Sequence, residues 1–172
     1  NLTMTIANDA DRVKVRDTQI TTVNFACSSV NVPCRGGVIT VDIPAPTTPD
    51  GQVLTTRMAA SVVSGNNVQR LVPSYPFAGS GLYRLTFYMK EPLAAGTSDR
   101  LQINWWYPNN DAPDGSTVDV TASFSANNAE SVDARATTTL TASSDVAIEK
   151  KKLGAPPAFG STASYQLRYG YQ

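Results

Sequence analysis

The stretch Gln19–Cys27 reads QITTVNFAC, and its side chains change character at every step. Thr21, Val23 and Phe25 fall on one side, Ile20, Thr22 and Asn24 on the other. A two-residue period suits an extended chain, whose successive side chains point to opposite faces, and it does not suit a helix. The same period returns along the chain. Ile39, Val41 and Ile43 oppose Val38, Thr40 and Asp42; Tyr83, Leu85, Phe87 and Met89 oppose Leu82, Arg84, Thr86 and Tyr88. Leu101, Ile103, Trp105 and Tyr107 oppose Gln102, Asn104 and Trp106. Two further runs follow, one carrying Val118, Val120, Ala122 and Phe124 on one face, the other Val132, Ala134, Ala136, Thr138 and Leu140. Prolines at 44, 46 and 49 and the cluster NNDAPDGS at 109–116 punctuate these runs. QVLTTRMAASVV (52–63) fits a strand better than a helix because of its Thr and Val content. No segment holds a helical period over three turns, so the fold class expected is an all-β sandwich.

Composition narrows the function classes. Fourteen basic and fourteen acidic residues give zero net charge, which argues against nucleic acid or an anionic membrane as the main partner. No apolar run reaches the length of a bilayer span. The chain opens without a signal-peptide pattern, as a mature or trimmed protein would. Few charges with much Thr, Ser and Asn is a composition common among secreted β-proteins.

Histidine is absent, so Ser-His-Asp and Cys-His nucleophilic catalysis lack their base, and zinc lacks a customary ligand. No phosphate-cradling or dinucleotide fingerprint occurs, and no carboxylate pair stands out from the rest. The expectation is that the protein is not an enzyme. Cys27 and Cys34 in FACSSVNVPC either close a short loop as a disulfide, implying an oxidising compartment, or remain two thiols, one of them buried.

Three other features invite chemistry. Trp106 shares a face with Asn104 and Gln102; an indole beside amides is a candidate ligand site for sugars or a protein partner, or else a residue covered by a loop. Asn109, Asn110, Asp111 and Asp114 offer oxygens to calcium, or form an Asx turn bonding its own backbone; NDADRVKVRD near the start poses the same choice. An isopeptide cross-link, from Lys14 or Lys150 to Asp119 or Asp133, requires the lysine and an acid together in an apolar core. EKKK at 149–152 suits a solvated edge strand, where lysine deters sheet-to-sheet association.

The two ends of the chain share a pattern. Leu2, Met4, Val23 and Phe25 reappear at constant offset as Val146, Ile148, Leu167 and Tyr169; Thr21 falls on Tyr165 and Asp17 on Ser161. The chain is therefore expected to hold one complete module, residues 1–143, followed by 144–172 as the opening strands of a second module or as terminal strands packing on the first. Such a layout is that of a piece of a longer, tandem protein.

Several motifs, in order, carry a resemblance. A PLAAG turn (92–96), a PDGSTV turn (113–118), a last strand running into TTTLTA (137–142), and an Asp-Val opening with lysines before YQLRY (165–169) together resemble tandem modules of large bacterial surface proteins. CSSVNVPCRGGVITVDIPAP resembles their variant with two cysteines around a short loop. The resemblance covers about two thirds of the chain and is weakest over 50–80. It implies an antiparallel immunoglobulin-like β-sandwich, secreted to the cell surface or cell wall, and a non-catalytic role as structural stalk or adhesin. It also implies partnership with other modules of the parent chain, other copies, or a host or glycan ligand. Two alternatives stand beside it. A surface-filament subunit would complete its neighbour's sheet with a terminal strand, for which Tyr165, Leu167, Tyr169 and Tyr171 are the pairing candidates. A carbohydrate-binding module would use Trp106. Apart from calcium no cofactor is expected.

Overall fold

The computed structural model describes residues 1–54, 58–70, 81–108, 112–142, 146–154, 160 and 164–171. They contain twelve strands and no helix: β1 Leu2–Asn8, β2 Arg12–Lys14, β3 Gln19–Cys27, β4 Val38–Pro44, β5 Ala59–Ser64, β6 Val68–Arg70, β7 Leu82–Met89, β8 Ser98–Trp106, β9 Thr117–Ala126, β10 Ala129–Thr141, β11 Val146–Leu153 and β12 Ser164–Tyr171. The chain divides into two compact units, Asn1–Ala142 and Ser143–Gln172.

In the first unit one sheet has the order β1-β3-β8-β5 and the other β2-β10-β9-β4-β7-β6. Taken along the chain, β1, β3, β4, β5, β8, β9 and β10 occupy the positions of strands A to G of an immunoglobulin sandwich, with ABED in one sheet and GFC in the other. The pair β6–β7 is inserted before the fifth of these strands and extends the second sheet beside β4. Among the described residues all pairings are antiparallel except β2 with β10, which run parallel from Thr139↔Arg12 to Thr141↔Lys14. That parallel pair departs from a purely antiparallel expectation. It arises because the chain leaves the first sheet at Asn8 and joins the edge of the second at Arg12.

Alternation builds the core. β3 reads buried at Gln19, Thr21, Val23, Phe25 and Cys27, and β9 at Val118, Val120, Ala122 and Phe124. Across the sheets Phe25 meets Phe124 edge to face, ring centroids 5.3 Å apart. One polar thread crosses this interior. Thr21 Oγ1 donates to Asn8 Oδ1 at 2.7 Å, and Asn8 Nδ2 donates to Thr138 Oγ1 at 2.7 Å. Gln19 Nε2 donates to the Ala10 carbonyl at 2.8 Å. The thread links β1 and β3 of one sheet to β10 of the other, so the β1–β2 switch between sheets is held by side chains as well as backbone.

Cys27 and Cys34 form a disulfide, both sulfur-bearing residues buried. It closes the loop between β3 and β4, which is further tied to the β9–β10 turn. There Asn128 Nδ2 donates to the Pro33 carbonyl at 2.9 Å, and the Arg35 N–H donates to Asn128 Oδ1 at 3.1 Å.

The second unit is a hairpin-like pair of antiparallel strands. Val146 pairs with Tyr171, Ile148 with Tyr169, Lys150 with Leu167 and Lys152 with Tyr165. In the first unit β1 pairs with β3 as Leu2↔Cys27, Met4↔Phe25, Ile6↔Val23 and Asn8↔Thr21. Each pair of the second set is the corresponding pair of the first moved by 144 residues on both strands.

Candidate functional site

β8 lies inside its sheet, between β3 and β5. Its alternation sends Leu101, Ile103 and Trp105 into the core and sets Gln102, Asn104 and Trp106 on the outer face. These three are half-buried. By register Gln102 stands beside Thr22, Asn104 between Ile20 and Ser61, and Trp106 beside Ala59. Gln102 Nε2 donates to Thr22 Oγ1 at 3.3 Å. Asn104 Oδ1 is buried with no donor, an arrangement that costs free energy while it lasts. The site thus brings together a half-buried indole, two amide side chains, and small neighbours at Ala59 and Ser61. Its indole can stack an apolar face. Among the described residues it holds no nucleophile paired with a base.

Trp105, facing inward, is anchored differently. Its Nε1–H donates to Thr21 Oγ1 at 2.8 Å and its ring meets Tyr107 edge to face at 5.7 Å. The Tyr107 hydroxyl donates to the Pro44 carbonyl at 2.6 Å, and burial holds its phenol well above the ordinary range.

Of the calcium candidates, Asn109, Asn110 and Asp111 lie outside the described residues. Asp114 precedes β9, and its Oδ1 accepts the Ala142 N–H at 3.2 Å, so this carboxylate closes a loop onto the end of β10. In the early acidic stretch Asp9 Oδ1 accepts the Ile20 N–H at 2.9 Å. Among the described residues no three His, Cys, Asp or Glu side chains gather in metal-binding geometry.

The isopeptide geometry is not met. Lys14 is exposed on β2, and Lys150 is exposed with its ammonium 4.1 Å from the Tyr165 ring centroid. Asp119 accepts from Arg135 and Thr137 on the outer face of the larger sheet, and Asp133 is exposed. A lysine in water lacks the apolar enclosure and the neighbouring acid that the reaction needs.

Sequence reasoning missed one surface. The outer face of the larger sheet has a shallow depression of ≈ 440 Å³, lined by Thr40, Asp42, Thr121, Ser123, Asp133 and Arg135 among others. Small hydroxyl residues floor it, and Arg84 stands beside it, gripping Asp42 with Nε–Oδ1 and Nη2–Oδ2 distances of 2.7 Å. The polar positions of β4, β9 and β10 carried this signal, but only strand order brings them side by side.

No family model matches the chain, and no curated protein matches it by sequence. Solved structures resemble it in fold. AvmM, which catalyses macrocyclization in alchivemycin A biosynthesis, is 9% identical, with 92% of each chain covered and a TM-score of 0.48. A type II cohesin domain from the cellulosome of Acetivibrio cellulolyticus is 10% identical, covering 81% of this chain and 94% of that one at a TM-score of 0.44. BcpA, the major pilin subunit of Bacillus cereus, is 11% identical, covering 88% of this chain and 43% of the pilin at a TM-score of 0.45. Identities and TM-scores this low carry no function over to this chain.

Proposed function

We propose that this protein is a non-catalytic extracellular module of a bacterial cell-surface or cell-wall protein, used in series as a stalk or adhesive unit. One observation carries the reading: β11–β12 repeats the β1–β3 pairing, residue for residue, at an offset of 144. On this reading β11 and β12 are the first and second strands of a following module, the counterparts of β1 and β3. The buried Cys27–Cys34 disulfide supports an oxidising compartment. The test is surface labelling of intact cells of the producing bacterium, with the cysteines trapped by alkylation. Labelled protein with both thiols blocked by the disulfide supports the reading; protein shielded from the label with free thiols refutes it.

A glycan-binding role at Trp106 is the second reading, favoured by the half-buried indole that shares the outer face of β8 with Gln102 and Asn104. The apolar face of a sugar would stack on the indole. Tryptophan emission that changes with a glycan, and no longer does so in Trp106→Phe, supports it. A panel of glycans without effect on the parent protein counts against it.

A further inference from the structure

The register of the larger sheet sets its outer face in rows. One row crosses four strands as Thr86 on β7, Thr40 on β4, Ser123 on β9 and Asp133 on β10. The next row, on the same strands, is Arg84, Asp42, Thr121 and Arg135. Strands in a sheet stand ~4.8 Å apart, so each row is a line of side chains running across the sheet. The first row is short and largely hydroxylic. The second carries two exposed guanidiniums. The ≈ 440 Å³ depression lies over both rows on β4, β9 and β10, a volume within the ~300–1,000 Å³ of small-ligand sites. On its other flank Tyr88 of β7 is exposed beside Val38. It is the diagonal cross-strand neighbour of Thr40, a separation that an aromatic side chain bridges.

The chemistry of the depression selects its ligand. Among the described residues the hydroxyls of Thr40, Thr121 and Ser123 have no hydrogen-bond partner. A hydroxyl both donates and accepts, so three side by side suit a ligand whose own groups do both. Charge argues against a polyanion. Asp42 holds Arg84 and Asp119 holds Arg135, so each guanidinium is already neutralised. Asp133 adds a carboxylate with no ion-pair partner among the described residues. Nor does this floor offer the apolar centre of a protein interface. We propose that the depression binds a neutral saccharide chain. One sugar bonds through its hydroxyls to Thr40, Thr121, Ser123 and Asp133, and the next lays its apolar face against Tyr88. This site is on the opposite sheet from Trp106. It goes beyond the stalk and Trp106 readings and rests on neither.

Affinity electrophoresis of the full chain tests it. Native gels are cast with xyloglucan, galactomannan, a β-1,3-glucan or starch, and with polygalacturonate as the anionic control. At least one neutral polysaccharide should retard the parent protein, and polygalacturonate should not. Thr40→Val/Ser123→Ala removes two hydroxyls from the outer face, keeps a β-branched residue in β4 and leaves the core untouched. It should weaken binding about ten-fold or more, as the loss of two hydrogen bonds implies. Tyr88→Ala should weaken binding too, and Trp106→Phe should leave it unchanged. Retardation by none of the four neutral polysaccharides overturns the proposal. So does preferential retardation by polygalacturonate, or equal retardation of the parent and Thr40→Val/Ser123→Ala. Binding lost in Trp106→Phe and kept in Thr40→Val/Ser123→Ala assigns the saccharide to the other sheet and overturns it as well. Display on a cell surface is decided separately, by the labelling experiment.

Discussion

The indole N–H of Trp105 donates to Thr21 Oγ1 at 2.8 Å inside the sandwich, and both residues are 0–1% exposed. Thr21 passes the bond on to Asn8, so one hydroxyl serves two partners on β1 and β8. Thr21→Val keeps the shape and leaves the indole N–H without an acceptor. It should lower the unfolding free energy by about 1–3 kcal/mol, read as a lower urea midpoint with an unchanged m-value.

Phe124 and Arg84 make a paired comparison of core and surface. Phe124→Ala removes the ring that faces Phe25 and leaves a cavity between the sheets. It should cost about 3–5 kcal/mol, a large part of the ~5–15 kcal/mol that holds a domain together. Arg84 grips Asp42 with two short bonds, yet its side chain is 59% exposed. Solvent screens that pair, so Arg84→Ala should cost under about 1 kcal/mol. Denaturant titrations of the two variants should differ accordingly; equal losses would contradict the core assignment.

Reduction should reach the disulfide slowly and matter once it does. Cys27 and Cys34 are both buried, so a mild reductant without denaturant should leave them bridged while the fold holds. The Cys27→Ser/Cys34→Ser variant frees a short loop in the unfolded chain and should lose about 2–3 kcal/mol, measured by urea unfolding.

Alkali should act through Tyr107. Burial raises its folded-state pKa above the ordinary 10.0. Below the unfolded pKa the phenol is neutral in both states, and its contribution is fully present. As pH rises past about 10 the unfolded chain releases the proton first, so stability falls progressively toward the folded pKa. Tyr107→Phe removes this dependence and also the bond to the Pro44 carbonyl. The unfolding free energy of the parent should therefore fall more steeply between pH 9.5 and about 11 than that of the variant. Parallel slopes would contradict the assignment.

Much of the fold was legible because each buried strand has one wet face. The alternation along Gln19–Cys27 and Leu101–Tyr107 matches the burial of Val23, Phe25, Ile103 and Trp105. Strand pairing that crosses the chain was not legible. β2 is three residues long and its parallel partner, β10, lies over a hundred residues away. β6 is as short, and nothing in Val68–Arg70 tells which sheet it joins. The candidate site was legible in its facing and not in its depth. Alternation put Trp106, Asn104 and Gln102 on one side, while their half-burial depends on β3 and β5 lying alongside. The lysines failed as cross-link donors because a sequence gives no distance from water.

The account turns on the repeated register, and cross-strand nuclear Overhauser contacts in the full chain test it most directly. They should link Ile148 to Tyr169 and Lys150 to Leu167, as they link Met4 to Phe25 and Ile6 to Val23. A β11–β12 register displaced by even one residue from that of β1–β3, or no pairing between the two strands, would contradict it.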